Sequence, residues 1–133
     1  MKKFMLFLSV IGMLLGTMHS NLLAQQPPAK VYWMITIEIP LAKLGEYHQL
    51  AAKELMPMQE KYGYKFIGSW QTIVGNIEQV ISIAEFENMD AYNKARREFL
   101  GSEEWKAFSK KTDGMIKGVK TRFLRATSYS RIK

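Results

Sequence analysis

Four side chains of this sequence have types and positions that suit ligand binding or acid–base chemistry: His48, Glu85, Trp33 and Trp70. An imidazole exchanges a proton near neutral pH and can ligate haem iron. A carboxylate among apolar neighbours can have a raised pKa and act as an acid or a base. Indole rings can form the walls of a slot for a flat, partly apolar molecule. We therefore expect these four residues to line a ligand pocket.

His48 and Glu85 each also have a plain structural interpretation. His48 lies on the apolar stripe of a predicted helix, where a histidine that donates one hydrogen bond is the commoner case. Glu85 lies late in a predicted strand, where carboxylates are usually solvated or paired with a lysine. The sequence has no cysteine, and His48 is its only histidine outside the first 24 residues. We expect no metal site, because one histidine gives no metal-ligand spacing.

The tryptophans have an equally ordinary alternative, because aromatic rings also fill cores and dimer interfaces. Trp70 is more distinctive than Trp33, since it lies two residues after Gly68 in a predicted strand. A glycine in a strand can leave room for a ligand or for another backbone. The sequence alone leaves both interpretations open.

The first 24 residues have the order of a secretory signal peptide. Lys2 and Lys3 precede an almost wholly apolar run over 4–15, and a mixed segment ends at Ala24, a small residue suited to the position before the cut. The run is shorter than the ~20 residues that span a bilayer. An uncleaved anchor is the alternative, although polar residues at 19–21 interrupt the apolar segment. We expect cleavage, export to the periplasm or the medium, and a short tail over 25–30.

Length and composition indicate one globular domain, over 31–133. The chain has 133 residues, of which 47% are hydrophobic and 23% are charged. That balance argues against disorder. The formal net charge is +7, but an exported protein does not meet nucleic acid, so we expect no nucleic-acid partner. No further apolar segment is long enough to predict a membrane span in the mature chain.

The domain alternates between strand-like and helix-like patterns. Residues 31–39 alternate β-branched and aromatic side chains, and 43–62 carry apolar residues at helical spacing. Pro57 predicts a kink or break in that helix, and Gly63 a left-handed residue at its end. The remaining predicted elements are strands over 64–74 and 77–86 joined by a turn at 75–76, a helix over 89–100 capped by Asn88, a helical piece capped by Ser102, and a strand over 120–130.

This order is β-α-β-β-α-β, the ferredoxin-like α+β arrangement, with a four-stranded antiparallel sheet and helices on one face. The other face would carry Tyr32, Met34 and Thr36. A sheet face this apolar tends to pack against something. A second copy of the same sheet is the simplest partner, because two-fold symmetry makes the face self-complementary. We therefore expect a homodimer.

The domain resembles the NIPSNAP family in several short motifs between residues 32 and 108. They are Glu54-Leu55-Met56-Pro57 followed by Lys61-Tyr62-Gly63, then Ile67-Gly68-Ser69-Trp70, Val74-Gly75-Asn76 with Gln79-Val80, Glu85-Phe86-Glu87, and Ser102-Glu103-Glu104-Trp105-Lys106-Ala107-Phe108. The resemblance implies a dimeric α/β barrel, in which two ferredoxin-like sheets pack face to face. It implies no single reaction, because the wider superfamily contains cofactor-free oxygenases, haem-degrading enzymes and proteins without known activity.

Three functions follow as hypotheses. The first is an exported, non-catalytic dimeric barrel that binds a small, partly apolar ligand or a protein partner without a cofactor. The alternative is a cofactor-independent oxygenase or a haem-handling enzyme, with His48 as base or iron ligand. The third is an envelope-surface module that uses the basic residues after Asp113 to bind anionic lipid, although such a stretch is also typical of a solvated strand edge.

Overall fold

The structure, a computed structural model, describes residues 29–133. The predicted signal peptide over 1–24 lies outside the described residues, as does the tail apart from Ala29 and Lys30. Within 29–133, no helix is long and apolar enough to cross a membrane.

Four antiparallel strands form one sheet, as predicted. They are β1 (Val31–Glu38), β2 (Lys65–Gln71), β3 (Gln79–Phe86) and β4 (Gly118–Leu124), in the order β2-β3-β1-β4. β1 pairs with β3 on one side and with β4 on the other, so it lies at the centre of the sheet. Together with the helices between the strands, this order confirms the ferredoxin-like fold.

The first crossover between strands is one continuous helical segment that changes its winding in the middle. It consists of α1 (Leu41–Leu50), a π-helical segment (Ala51–Leu55) and α2 (Met56–Lys61). Pro57 was expected to kink or break the helix. Instead the backbone changes to π-helical winding just before Pro57, where the Met56 N–H donates to the Ala51 carbonyl five residues back. Pro57 itself occupies the first turn of α2, directly after the π-helical segment. The helix ends as predicted at Gly63, with a left-handed φ of 93°.

The connection between β2 and β3 is longer than the predicted two-residue turn. Both strands stop short of it, and the loop 72–78 joins them. Ile73 and Val74 were expected to continue β2, but they are 87% and 85% exposed and extend beyond the last paired residue. The turn at Gly75 has a positive φ of 100°, and the Asn76 amide donates to the Glu38 carboxylate at 2.9 Å.

The second crossover contains α3 (Met89–Gly101) and α4 (Glu103–Lys111). Both N-caps are the predicted ones. The Asn88 side chain accepts a hydrogen bond from the Ala91 N–H at 2.9 Å, and the Ser102 hydroxyl accepts one from the Trp105 N–H at 3.1 Å. The last strand ends at Leu124, six residues before its predicted end at 130, and the chain beyond it leaves the sheet.

The core lies between the helices and one face of the sheet, in two clusters of buried side chains. One is centred on Trp33, with Tyr64, Phe86, Tyr92 and Phe99 among its members. The other surrounds Ile39, with Ile37, Leu44, Tyr47 and Val80. Ile35 and Ala51 pack against both clusters without being fully buried, so the space between the clusters is not completely filled.

The opposite face of the sheet, here called the open face, carries no helix in the described chain. Tyr32 and Met34 of β1 point to it, together with Ile81 and Ile83 of β3. The chain after β4 crosses one end of this face, where a shallow depression lies between Tyr32, Ile83 and the C-terminal segment 124–132. The middle of the face is apolar and half-buried at Met34, Ile81 and Ile83, and the exposed Lys120 and Arg122 of β4 flank it.

Replacing Ser102, the N-cap residue of α4, tests how much this cap contributes to the stability of the fold. In Ser102→Ala, the Trp105 N–H loses its acceptor, and we expect a loss of about 1 kcal/mol in the free energy of unfolding, measured by urea denaturation. Ser109→Ala in the same helix is the matched control, because its hydroxyl only bonds back to the Lys106 carbonyl. It should be neutral or slightly stabilising, and equal losses in both variants would contradict the capping role of Ser102.

Candidate functional site

The space between the helices and the sheet contains two cavities, one on each side of the helical segment 41–61. The cavity toward β2 and β3, here called the first cavity, has a volume of about 170 Å³. The cavity toward α3, α4 and β4, the second cavity, has a volume of about 270 Å³. Their presence explains why Ile35 is only half-buried at the centre of the sheet. The second approaches the size of pockets that hold small organic ligands, ~300–1,000 Å³.

The two cavities share one dividing wall, made by side chains that project from β1 and from the helical segment toward each other. It consists of Trp33, Ile35, Ile37, Tyr47, Leu55 and Gln59. The helical members, Tyr47, Leu55 and Gln59, are separated by eight and by four residues, and a repeat of four overshoots the 3.6-residue turn of an α-helix. The wider π turn at 51–55 absorbs the overshoot. This rewinding keeps Tyr47, Leu55 and Gln59 on one side of the helix, facing the sheet.

Three members of the dividing wall bring polar atoms into an apolar space. The Trp33 indole N–H is buried and has no hydrogen-bond partner among the described residues. The Gln59 amide is one of the few buried polar side chains of the described chain. Burial raises the pKa of the Tyr47 phenol to about 12, so this group stays protonated at neutral pH. A buried donor without an acceptor is costly, and a ligand with an acceptor atom would relieve that cost.

His48 lies at the rim of the first cavity and not on the inward stripe where it was expected. Its side chain is exposed, and Tyr47, one residue earlier, takes the inward position. The His48 Nε2 lies 3.1 Å from the Gln71 amide oxygen, to which it donates. His48 and Trp33 therefore meet around the same cavity, one at its rim and one at its base.

Trp70 lies on the open face, away from both cavities. β2 contains a bulge between Phe66 and Gly68, which places Gly68 and Trp70 on the open face while Phe66 faces the core. The indole of Trp70 folds over that glycine, and a Cβ at Gly68 would lie 2.8 Å from two atoms of the ring. The room that Gly68 leaves is thus occupied by Trp70 itself.

Glu85 also lies on the open face, opposite Tyr32 in the sheet register. Its carboxylate pairs with the Lys30 ammonium at 3.0 Å, and its side chain is 18% exposed. This hydrogen-bonded pair raises the pKa of Lys30. Of the four residues singled out in the sequence, the structure brings Trp33 and His48 together and places Trp70 and Glu85 on the other side of the sheet.

The residues of these cavities that the sequence analysis did not single out include Tyr47, Gln59 and Arg96. Tyr47 and Gln59 carry a detectable signal, because with Ala51 and Leu55 they form an unbroken four-residue spacing. Arg96 carries no such signal in the sequence. It is recognisable only once the fold places Arg96 of α3 at the second cavity, beside Tyr64.

The residues present do not fit a haem or a metal ion. The first cavity, beside His48, is far smaller than a porphyrin needs, and the His48 Nε2 is engaged by Gln71. Within 29–133, no group of three or more His, Cys, Asp or Glu side chains could hold a metal ion. We therefore assign no iron or metal ligand to His48.

Solved structures of other proteins share this fold. A NIPSNAP family protein from Agrobacterium tumefaciens matches with a TM-score of 0.74 and 23% identity over 78% of this chain and 99% of that chain. A second one from the same organism, of unknown function, matches with a TM-score of 0.75 and 16% identity over 81% and 97%. A proposed monooxygenase from Lactobacillus acidophilus matches with a TM-score of 0.58 and 21% identity over 77% of this chain and 47% of that chain.

At these identities the similarity establishes the fold alone. No curated protein sequence matches this chain. The sequence model of the NIPSNAP family matches residues 32–131, which is most of the chain. It includes all four strands, both crossovers and every residue of the dividing wall. This protein therefore belongs to the NIPSNAP family.

Proposed function

We propose that this protein is an exported, homodimeric and non-catalytic binding protein that takes up a small, partly apolar molecule between its helices and its sheet, without a cofactor. The observation that carries the proposal is the pair of cavities on either side of the dividing wall. A protein of this size usually fills its interior to the density of an organic crystal. Here the centre of the sheet stays partly uncovered, at Ile35 and Ser82.

The chemistry of the cavities supports a ligand with an apolar body and one or two polar atoms. Aliphatic and aromatic side chains supply most of the lining, and burying apolar surface against them is favourable by roughly 25 cal/mol per Å². Polar groups at Trp33, Tyr47 and Gln59 would fix the orientation of the ligand, as is usual in small-molecule sites.

Blocking each cavity separately tests this proposal. Ala52→Trp adds bulk at the rim of the first cavity, and Thr121→Phe adds bulk on the β4 side of the second. We expect at least one of them to weaken the binding of 2-naphthamide, a neutral and partly apolar probe, by about tenfold or more in titration calorimetry. The variant that acts identifies the cavity in use.

Ala107→Trp is the matched control for these variants, because Ala107 is exposed on α4 and lines neither cavity. It should leave the affinity for the probe unchanged. Binding that neither block weakens would place the ligand elsewhere. A complete absence of binding by the wild-type protein would remove the support for a small, partly apolar ligand.

The oxygenase alternative is tested with electron-rich aromatic substrates in place of the probe. If the protein only binds, we expect no oxygen uptake above the rate without protein, measured with an oxygen electrode. Uptake that disappears in Tyr47→Phe or His48→Ala would replace the binding role by catalysis, because these residues carry the phenol and the imidazole that line the first cavity.

The homodimer is supported by the open face. Met34, Ile81 and Ile83 form a half-buried apolar surface, which Trp70 extends at 52% exposure. Surfaces of this kind commonly mark protein–protein interfaces, and a two-fold axis would bring the same residues of two copies together.

A charge in the middle of the open face should separate the two copies. Ile81 lies on β3 between Thr36 and Trp70 in the sheet register. In Ile81→Glu we expect the mass measured by light scattering to fall from dimer to monomer at micromolar concentration, because burying the carboxylate in the interface is costly. Ile73→Glu, in the exposed β2–β3 loop, should remain a dimer. A dimer in both variants, with unchanged circular dichroism, would exclude this face as the interface.

Export is supported by the charged, apolar and polar order of the first 24 residues. When the full chain is produced in a bacterium, we expect the protein in the periplasm or medium, with an intact mass that begins at residue 25. A full-length protein retained in the cytoplasm would contradict export, and a full-length protein in the membrane fraction would indicate an anchor.

A further inference from the structure

Arg96 is the one charged residue among the described residues that line the second cavity. It projects from α3 one turn after Tyr92 and one turn before Phe99, and all three side chains face the cavity. Tyr92 and Phe99 are buried, whereas Arg96 is exposed. The guanidinium group therefore lies where the cavity meets solvent.

Arg96 has no carboxylate partner within 29–133. The seven ion pairs of the described residues all use lysine as the cation. The guanidinium is thus available, although it is the side chain best suited to bind an acidic group through two parallel hydrogen bonds. Neighbouring Arg97 is also exposed, but it lies on another side of α3 and lines no cavity.

The second cavity also presents hydrogen-bond donors besides Arg96. Three phenols line it, at Tyr47, Tyr64 and Tyr92. Burial raises the pKa of each above its ordinary value, so all three are neutral at pH 7 and keep their O–H protons. The positive charge of Arg96 acts on Tyr64 and Tyr92 in the opposite direction, which shows that the guanidinium lies within electrostatic reach of both rings.

The wall of the cavity below Arg96 is apolar. Phe99 and Phe108 are buried at its base, and Leu100, Ile116 and Val119 form a partly exposed rim. An apolar body can therefore enter past the rim while a charged group stays at the mouth, where it keeps part of its hydration and avoids most of the cost of burying a charge.

We propose that the ligand of this protein is a small organic anion, whose acidic group pairs with Arg96 and whose apolar body fills the second cavity. This inference rests on the proposed binding function and adds to it the class of ligand and the choice of cavity. The buried Trp33 indole N–H supplies a further donor at the dividing wall.

A pair of probes that differ in charge tests this assignment. 2-Naphthoate and 2-naphthamide have the same ring system, and only the first is an anion at pH 7. We expect the wild-type protein to bind 2-naphthoate more tightly by roughly ten- to a hundredfold in titration calorimetry. Arg96→Gln should remove this preference, so that its affinities for the two probes become equal. Arg97→Gln, the matched control on the same helix, should keep the preference.

The outcomes separate this inference from the function on which it rests. Equal affinity of the wild-type protein for both probes would overturn the anion assignment and leave the binding function standing. An equal loss of preference in Arg96→Gln and Arg97→Gln would show a general attraction to a basic helix and overturn the role of Arg96. If Thr121→Phe, which blocks the second cavity, leaves 2-naphthoate binding intact, the choice of cavity is wrong. If neither probe binds, the proposed binding function fails.

Discussion

The packing of the first helical segment across the central strand is the contact on which the rest of this structure depends. β1 has a neighbouring strand on both sides, and the segment 41–61 lies against its core face. Leu55 and Gln59 can reach Ile35 and Ile37 only because the π turn at 51–55 keeps a four-residue repeat on one side of the helix. A uniform α-helix would rotate these residues progressively away from the sheet, and the two cavities would lose their common boundary.

Sequence patterns predicted the fold more completely than the candidate site. Alternation in the strands, the caps at Asn88 and Ser102 and the left-handed Gly63 are local signals, and each is present in the structure. Errors occurred where the local sequence pattern does not determine the tertiary contacts. The apolar Ile73 and Val74 read as strand, but no neighbouring strand pairs with them. The site was harder, because helical periodicity does not distinguish Tyr47 from His48 when the winding itself changes four residues later.

Membership of the NIPSNAP family accounts for the architecture. The identity of the proposed ligand depends instead on the residues that line the cavities. The shared fold supplies a sheet with one face covered by helices and one face open. Specificity would then arise from the few polar groups that enter an otherwise apolar space: the indole of Trp33, the phenol of Tyr47 and the amide of Gln59. Because Trp33 and Tyr47 are also buried in the core, substitutions at these two positions would change the stability of the fold as well as the lining of the cavities.

Two of the three tryptophans, Trp33 and Trp105, line the second cavity, and the third, Trp70, lies on the open face. Trp33 is buried in the dividing wall, Trp70 is half exposed on the open face, and Trp105 packs against Phe99 within the helical layer. Indole emission depends on the polarity around the ring, so each region carries its own optical probe. A protein that retains Trp70 alone would therefore report on the proposed contact between two sheets, and one that retains Trp33 or Trp105 alone would report on the proposed ligand uptake, with no label attached to the chain.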